Sequence, residues 1–344
     1  MPDAKPVQYR IVERAAADRE DERGQVVRAL LAAPASIAPK YFYDELGCAL
    51  YGAICQLPEY YPTRTEAAVF REHRSEIADA VGRGRQFVDL GAGDCCKAQS
   101  WLPFLDVARY IAVDFAGPEI ERSLARMAPD FPEVEMLGVV ADFTRGLPLE
   151  GVLDERPVAF FYPGSSIGNF APTEALEFLR RIQAQCAPRP GSGLLIGVDA
   201  KKDRHVLDPA YDDALGVTAA FNRNVLLHLN RRFGFDFALD GYRHRAFYDE
   251  ARGRIEMHLE SLREQVVRID GHARRFAAGE RIHTENSYKY SAAQFESMLR
   301  EAGFTSVRRW SAPADSYFVF WSQSRGSESG VRVATLTPDS DPRL

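Results

Sequence analysis

No stretch of the 344-residue chain is both apolar and long enough for a membrane helix: the longest apolar runs, such as Gly193–Val198 and Val158–Tyr162, are strand-sized, against the ~20 residues a spanning helix needs. The acidic opening Asp18–Glu22 has nothing of a secretory leader, so a cytoplasmic protein without a membrane partner is expected. Excess positive charge is missing as well. Lys+Arg number 43 against Asp+Glu 49, a net charge of −6, so no global attraction draws the chain to phosphate backbones and no nucleic-acid partner is expected. Cysteine is scarce: the five, at positions 48, 55, 95, 96 and 186, have no metal-ligand spacing, and the adjacent Cys95 and Cys96 cannot readily bridge each other. The seven histidines are scattered with no His-Glu-x-x-His pattern, so no metal is expected. What is present is ordinary for a folded protein with a full core, with 46% hydrophobic and 27% charged residues, and the length suits about two domains.

The segments Gln25–Leu31 and Phe42–Ile54 have apolar positions at helical spacing. Pro58 and Pro62 bracket Glu59-Tyr60-Tyr61, which reads as a fixed loop presenting two tyrosines, and Thr63–Ala80 resumes as helix. From Gln86 strand-like and helical runs alternate: Phe87–Leu90, Lys97–Leu105, Tyr110–Val113, Glu119–Met127, Glu135–Val140, Val158–Tyr162, Thr173–Cys186 and Leu194–Val198. This is the pattern of a parallel sheet wrapped by helices, an α/β fold. After residue 200 it changes to a helix, Tyr211–Arg232, and then to strands of polar and apolar alternation, Tyr242–Asp249, Arg254–Leu262, Gln265–Ile269 and Arg274–Phe276, so a second α+β unit begins there. Ser291–Ala302 reads as a helix closed by Gly303, followed by the hairpin Ser306–Trp310 and Ser316–Trp321, and the chain from Ser322 on reads as a flexible tail.

Three signals point to a nucleoside ligand. Val88-Asp89-Leu90-Gly91-Ala92-Gly93 places glycines where a strand gives way to a helix, which permits close backbone approach and leaves N–H groups unpaired. Tyr110–Asp114 ends the next strand in a carboxylate, where Rossmann-like sheets bind ribose hydroxyls, and Asp142-Phe143 follows the third strand, suited to an adenine amino group and ring. Both NAD and S-adenosylmethionine fit such a set. Cys96 stands where a dinucleotide fingerprint would carry its third glycine, which favours S-adenosylmethionine.

A second constellation follows the fourth strand in Phe161–Phe170, where Asn169 is flanked by small residues at the carboxyl-end loops of the sheet. Taken with Leu57–Glu66, Tyr211–Asn224 and Thr284–Tyr290, the chain resembles, from about Pro39 to about Trp321, the histidine Nα-methyltransferases that form hercynine, trimethylhistidine, on the way to ergothioneine. The resemblance implies a Rossmann-like class I methyltransferase sheet with helices on both faces, at 63–200 and 289–323, and a discontinuous substrate-binding domain at 20–62 and 201–288, with tails at 1–19 and 324–344. It implies that Gly91, Lys97, Asp114, Asp142 and Phe143 hold the methyl donor. It also implies that Tyr60, Asn169, Tyr211, Glu285 and Ser287 hold L-histidine, with Asn169, Tyr60 and Tyr211 nearest the chemistry. The chain departs from the usual pattern at Cys95-Cys96, at Tyr162-Pro163, and at Asn286 and Tyr288 inside the substrate segment.

On chemistry alone, a carboxylate such as Glu285 and a hydroxyl such as Ser287 or Tyr60 can pair with both nitrogens of a neutral imidazole, while Asn169 and Tyr211 serve the amino-acid end. Glu285 could equally be a solvated charge or a partner of Lys289, and the tyrosines core aromatics. A methyltransferase of another amine, an NAD-dependent oxidoreductase and a non-catalytic binding protein are the alternatives, and the sequence carries no signal of oligomeric state.

Overall fold

The computed structural model describes residues 9–14, 22–144 and 146–324. The first part of the chain contributes β1 (Tyr9–Glu13), α1 (Glu22–Leu31), β2 (Ala35–Ser36), α2 (Glu45–Ile54), α3 (Tyr61–Glu72) and α4 (Arg74–Val81). An alternating stretch follows: β3 (Gln86–Leu90), α5 (Cys96–Gln99), α6 (Leu102–Leu105), β4 (Arg109–Asp114), α7 (Gly117–Met127), β5 (Glu135–Val140), β6 (Val158–Tyr162), α8 (Pro172–Cys186) and β7 (Gly193–Asp199). The remainder comprises α9 (Arg204–Tyr211), α10 (Val217–Phe233), β8 (Tyr242–Asp249), β9 (Arg254–Ser261), β10 (Gln265–Ile269), β11 (His272–Phe276), β12 (Arg281–Tyr288), α11 (Ala292–Glu301), β13 (Phe304–Ser311) and β14 (Tyr317–Ser324).

Eight strands form one sheet in the order β1-β5-β4-β3-β6-β7-β14-β13. Neighbours from β1 to β7 are parallel, and β14 and β13 run antiparallel at the far edge. This is the Rossmann-like α/β class that the alternation led us to expect. The strands β3, β6 and β7 are buried at every residue, as strands covered on both faces must be. Along β3 the period of two sends Val88 and Leu90 into the core under α8 and α11, and Phe87 into the core on the opposite face. Strand order reverses between β3 and β6, the place at whose carboxyl ends open α/β sheets bind ligands.

A second sheet, β2-β12-β9-β8, packs its apolar residues against α1, α2 and α10 in a separate core that includes Phe42, Tyr60, Tyr211, Phe221 and Met257. Its strands fall within 20–62 and 201–288, whereas β3 to β7, β13 and β14 fall within 63–200 and from 289 on. The boundary at 62/63 lies inside the first turn of α3. The two sheets meet where Ala200, just past β7, pairs with Tyr290, just past β12.

The structure corrects several sequence expectations. Residues 9–13, expected in a tail, form β1, whose backbone groups are paired with β5 from Tyr9↔Met136 to Glu13↔Val140. Residues 322–324 complete β14; of the expected tails, 1–8, 15–19 and 325–344 lie outside the described residues. The helix expected over 211–232 begins only at Val217, Tyr211 being the last residue of α9, because Asp213 accepts from the Val217 and Thr218 N–H groups at 2.9 and 2.7 Å and starts α10 behind Gly216, φ +75°. Tyr61 belongs to α3 and not to the preceding loop, since Pro62 is pre-set for a first helical turn. The strand β12 was not expected at all.

Candidate active site

At the end of β3 the chain turns through Gly91 and Gly93, with φ of +72° and +52°, a region that residues with a Cβ enter at a cost. The Gly93 N–H donates to Asp114 Oδ2 and the Ala116 N–H to Asp114 Oδ1, both at 3.0 Å. Burial lifts Asp114 above the usual carboxylate range, against the lowering pull of these backbone donors. Held by backbone donors, the carboxylate is an acceptor suited to neighbouring hydroxyls. A Cβ on Gly91 would lie 3.5 Å from Cζ of Phe143, so the glycine leaves one flank of that ring open. Phe143 is buried edge-on to Tyr162, with centroids 6.0 Å apart. Asp142 is partly exposed, accepts from the Thr144 N–H at 3.2 Å and lies 3.8 Å from Lys40 Nζ. Asp89 is buried, with Tyr110 donating to it at 2.9 Å and burial pushing it up to about 7.

Lys97 reaches the loop after β6. Its Nζ is 2.7 Å from Oε2 of the buried Glu66, whose Oε1 accepts from the Gly164 N–H at 2.6 Å and from Tyr317 Oη at 2.7 Å. Glu66 fits there because Gly197 has no side chain: a Cβ would sit 2.0 Å from Glu66 Oε1.

Tyr60, Asn169, Tyr211, Glu285 and Ser287 line one cavity beside this loop. Tyr60 immediately precedes α3, Asn169 ends the 3-10 turn after β6, Tyr211 ends α9, and Glu285 and Ser287 lie on β12. A β-bulge aims these last two. His283 pairs with His258 and Glu285 with Met257, leaving Thr284 as an extra residue whose hydroxyl bonds to Met257 O at 3.0 Å. An unbroken period of two would place His283 on the face of Glu285 and Ser287. Instead His283 Nε2 meets Asn286 Oδ1 at 3.0 Å, and the cavity face is reset to Glu285 and Ser287. Burial pushes Glu285 up to about 7, tempered by the charge of Lys289 and a hydrogen bond from Asn169. The turn that carries Asn169 lies tight on β12: a Cβ on Gly168 would meet Tyr288 O at 2.7 Å.

The cavity wall is aromatic. Tyr43 stands edge-on to Tyr51 and Phe221 with centroids 5.8 and 5.9 Å away, and 6.3 Å from Phe115, the residue after Asp114, so one ring joins the cavity to the loop after β4. The rings of Tyr60 and Tyr211 meet at 6.0 Å, and burial holds the Tyr60 phenol well above 10. Behind Tyr211 and Ser287 lies Lys289, 2% exposed, whose Nζ is 2.9 Å from Tyr211 Oη, 3.0 Å from Ser287 Oγ and 2.9 Å from Asp199 Oδ2. Lys289 is thus not the ion-pair partner of Glu285 that the sequence left open.

The family model described as histidine-specific methyltransferase, SAM-dependent, matches residues 22–324. The chain belongs to this family. It is 39% identical over 301 residues to the histidine N-alpha-methyltransferase of Mycolicibacterium smegmatis, covering 86% of this chain and 92% of that protein. The Mycobacterium tuberculosis protein of the same name is 36% identical over 305 residues with the same coverage, and ergothioneine biosynthesis protein 1 of Neurospora crassa is 30% identical over 80% of this chain and 32% of its own length. Membership of this methyltransferase family removes the nicotinamide alternative and makes S-adenosylmethionine the donor. The residues present fit that molecule, since the doubly anchored Asp114 and the open flank of Phe143 match a ribose and an adenine. Among the described residues no helix of the methyltransferase is long and apolar enough to cross a membrane.

Sequence reading passed over Tyr51, Phe221 and Asp199, and offered Glu285 as the partner of Lys289 where the structure has Asp199. The two aromatics recur at helical spacing like any core residue, and the ion pair joins strands 90 positions apart with no local motif.

Proposed function

We propose that this methyltransferase acts in the cytoplasm on the α-amine of free L-histidine, up to the trimethylated product hercynine, with Tyr60, Asn169, Tyr211, Glu285 and Ser287 holding the amino acid and Gly91, Lys97, Asp114, Asp142 and Phe143 holding the donor. The observation that carries this reading is the bulged strand β12, which presents a carboxylate and a hydroxyl two residues apart to one cavity, beside Asn169 and Tyr211. An acid and a hydroxyl match the two nitrogens of a neutral imidazole, and a side chain without ring nitrogens would leave them unpaired.

S-adenosylmethionine supplies an electrophilic methyl group on a sulfonium. The protein's part is to hold an amine lone pair in line with it, and such positioning can be worth on the order of 7–11 kcal/mol. Asn169, hydrogen-bonded to Glu285, is fixed to orient the amino-acid end. The α-amine sheds a proton before each transfer. Tyr60 is not the acceptor of that proton, since a phenol held well above 10 by burial stays protonated at neutral pH and works as a hydrogen-bond donor. The faces of Tyr43, Tyr51 and Phe221 suit the growing methylammonium by cation–π attraction of ~0.5–2 kcal/mol.

Incubation with S-adenosylmethionine and each of the twenty amino acids, followed by mass spectrometry, tests this. Histidine gains three methyl groups and the others none; absence of any gain on histidine, or an equal gain on another amino acid, refutes the substrate.

A further inference from the structure

Lys289 and Asp199 form an ion pair in which the lysine is 2% exposed and the aspartate not at all. Taking both charges out of water costs more than such a pair commonly returns in stability, so its place beside the cavity asks for another reason. Asp199 is fully engaged: Oδ2 accepts from Lys289 and, at 2.6 Å, from Tyr61 Oη, while Oδ1 is held by Lys202, which also donates to Ala200 O at 2.9 Å. The charges of Lys289 and Lys202 and these hydrogen bonds outweigh burial and keep Asp199 ionised. It sits at the end of β7 and its own N–H donates to Ser165 Oγ at 2.9 Å, so it is fixed to the main sheet. Lys289 is fixed to it just past β12, at the seam between the two sheets.

An ammonium has three N–H donors and no lone pair. Those of Lys289 go to Asp199, Tyr211 and Ser287, and the two hydroxyl oxygens are also 2.9 Å from each other. Tyr211 and Ser287 together carry two hydroxyl protons. Since Lys289 can accept neither, one of them bridges the oxygens and the other is left for the cavity that both residues line.

We infer that Lys289 is a positioning residue for the acceptor: by donating to Tyr211 and Ser287 at once, it sets the pair to offer the substrate a single hydroxyl proton. When Tyr211 donates to Ser287, the free proton is on Ser287 and faces the ring end of the substrate. When Ser287 donates to Tyr211, it is on the phenol and faces the amino-acid end. Recognition of the two ends is thereby coupled through one proton, and Asn169 and Tyr60 must provide for the end that the pair does not serve. Without Lys289 each hydroxyl can turn its proton to the place the ammonium filled, and the pair no longer keeps one for the substrate. This inference rests on the assignment of Tyr211 and Ser287 to the acceptor.

The test is Lys289→Met, which leaves Asp199 paired with Lys202 and Tyr61. We expect KM for histidine to rise about tenfold or more, as the loss of one or two buried hydrogen bonds implies, with the S-adenosylmethionine Kd unchanged by calorimetry. A folded variant with unaltered KM and a lowered melting temperature, or one in which KM and donor Kd rise by the same factor, overturns the inference. Should Lys289→Met fail to fold, Tyr211→Phe, Ser287→Ala and the double variant decide. Each single change leaves one hydroxyl that accepts from Lys289 and still points a proton inward, and the double change leaves none. The combined loss in kcat/KM must then exceed the product of the single losses, and a loss equal to or below that product overturns the inference. Turnover of histidine by the unaltered protein is measured alongside: its absence refutes the histidine reading alone, and the same constants are then taken with the amine that is methylated.

Discussion

Lys97 Nζ stands 2.7 Å from Glu66 Oε2, and through the other oxygen of that carboxylate the lysine is linked to the Gly164 amide of the loop beside Asn169. One buried acid therefore ties the helix after the glycine turn to the loop of the cavity that Asn169 lines. Glu66→Gln keeps the shape and removes the charge. It should weaken both donor and histidine binding by several-fold and lower the melting temperature by a few degrees, as expected for a pair in which one partner is buried and the other partly exposed. Calorimetry with the donor and KM for histidine check this, and a change in melting temperature alone would show that Glu66 serves only the fold.

Asp114→Ala removes the acceptor of two backbone N–H groups, at Gly93 and Ala116, together with the carboxylate assigned to the ribose. S-adenosylmethionine should then no longer raise the melting temperature at concentrations that stabilise the unaltered protein. Retention of the full ligand-induced rise would contradict the assignment.

Glu285 gives a pH dependence of definite sign. Burial has lifted it to about 7, so the free enzyme holds a carboxylate above that pH and a neutral carboxyl below it. kcat/KM for histidine should fall as pH drops through about 7, and in Glu285→Gln that limb should flatten at a lower plateau. For stability the sign is opposite: a carboxyl whose folded pKa is raised above its unfolded value contributes stability that is complete below about 4.3 and lost as pH rises through about 7. Glu285→Gln should accordingly melt above the unaltered protein at pH 8, without ligands, and no lower than it at pH 4. Melting curves at the two pH values measure this directly.

Gly168→Ala places a Cβ 2.7 Å from Tyr288 O and 3.1 Å from Tyr288 N, both backbone atoms that cannot turn aside. The turn bearing Asn169 must move off β12, which should cost about 1–3 kcal/mol of stability and separate Asn169 from Glu285. Histidine turnover should fall more than donor affinity. Equal activity in the alanine variant would mean that the turn has room the geometry denies it.

Much of this was legible in the sequence. The runs Glu135–Val140, Val158–Tyr162 and Tyr242–Asp249 are strands with the expected bounds, because their apolar patterns follow from burial on two faces or on one. All five residues assigned to the acceptor line one cavity. β12 escaped notice because the extra Thr284 breaks the alternation that marks a strand. β1 escaped because a short edge strand in a polar segment is held by its backbone pairing with β5, which leaves little trace in its side chains. The break before α10 depended on Asp213 acting as a cap, and Lys289 could be placed only once β7 and β12 were seen end to end.

The added residue in β12 has a further consequence for how such enzymes diverge. Removing Thr284 would leave His283 opposite His258 and Glu285 opposite Met257, so every pair of the ladder would stand and only the kink that aims the acid would go. The loss of that one unpaired residue would therefore re-aim the acid in the pocket wall while keeping every ladder pair and every helix, a shorter route to a different pocket than a series of point substitutions.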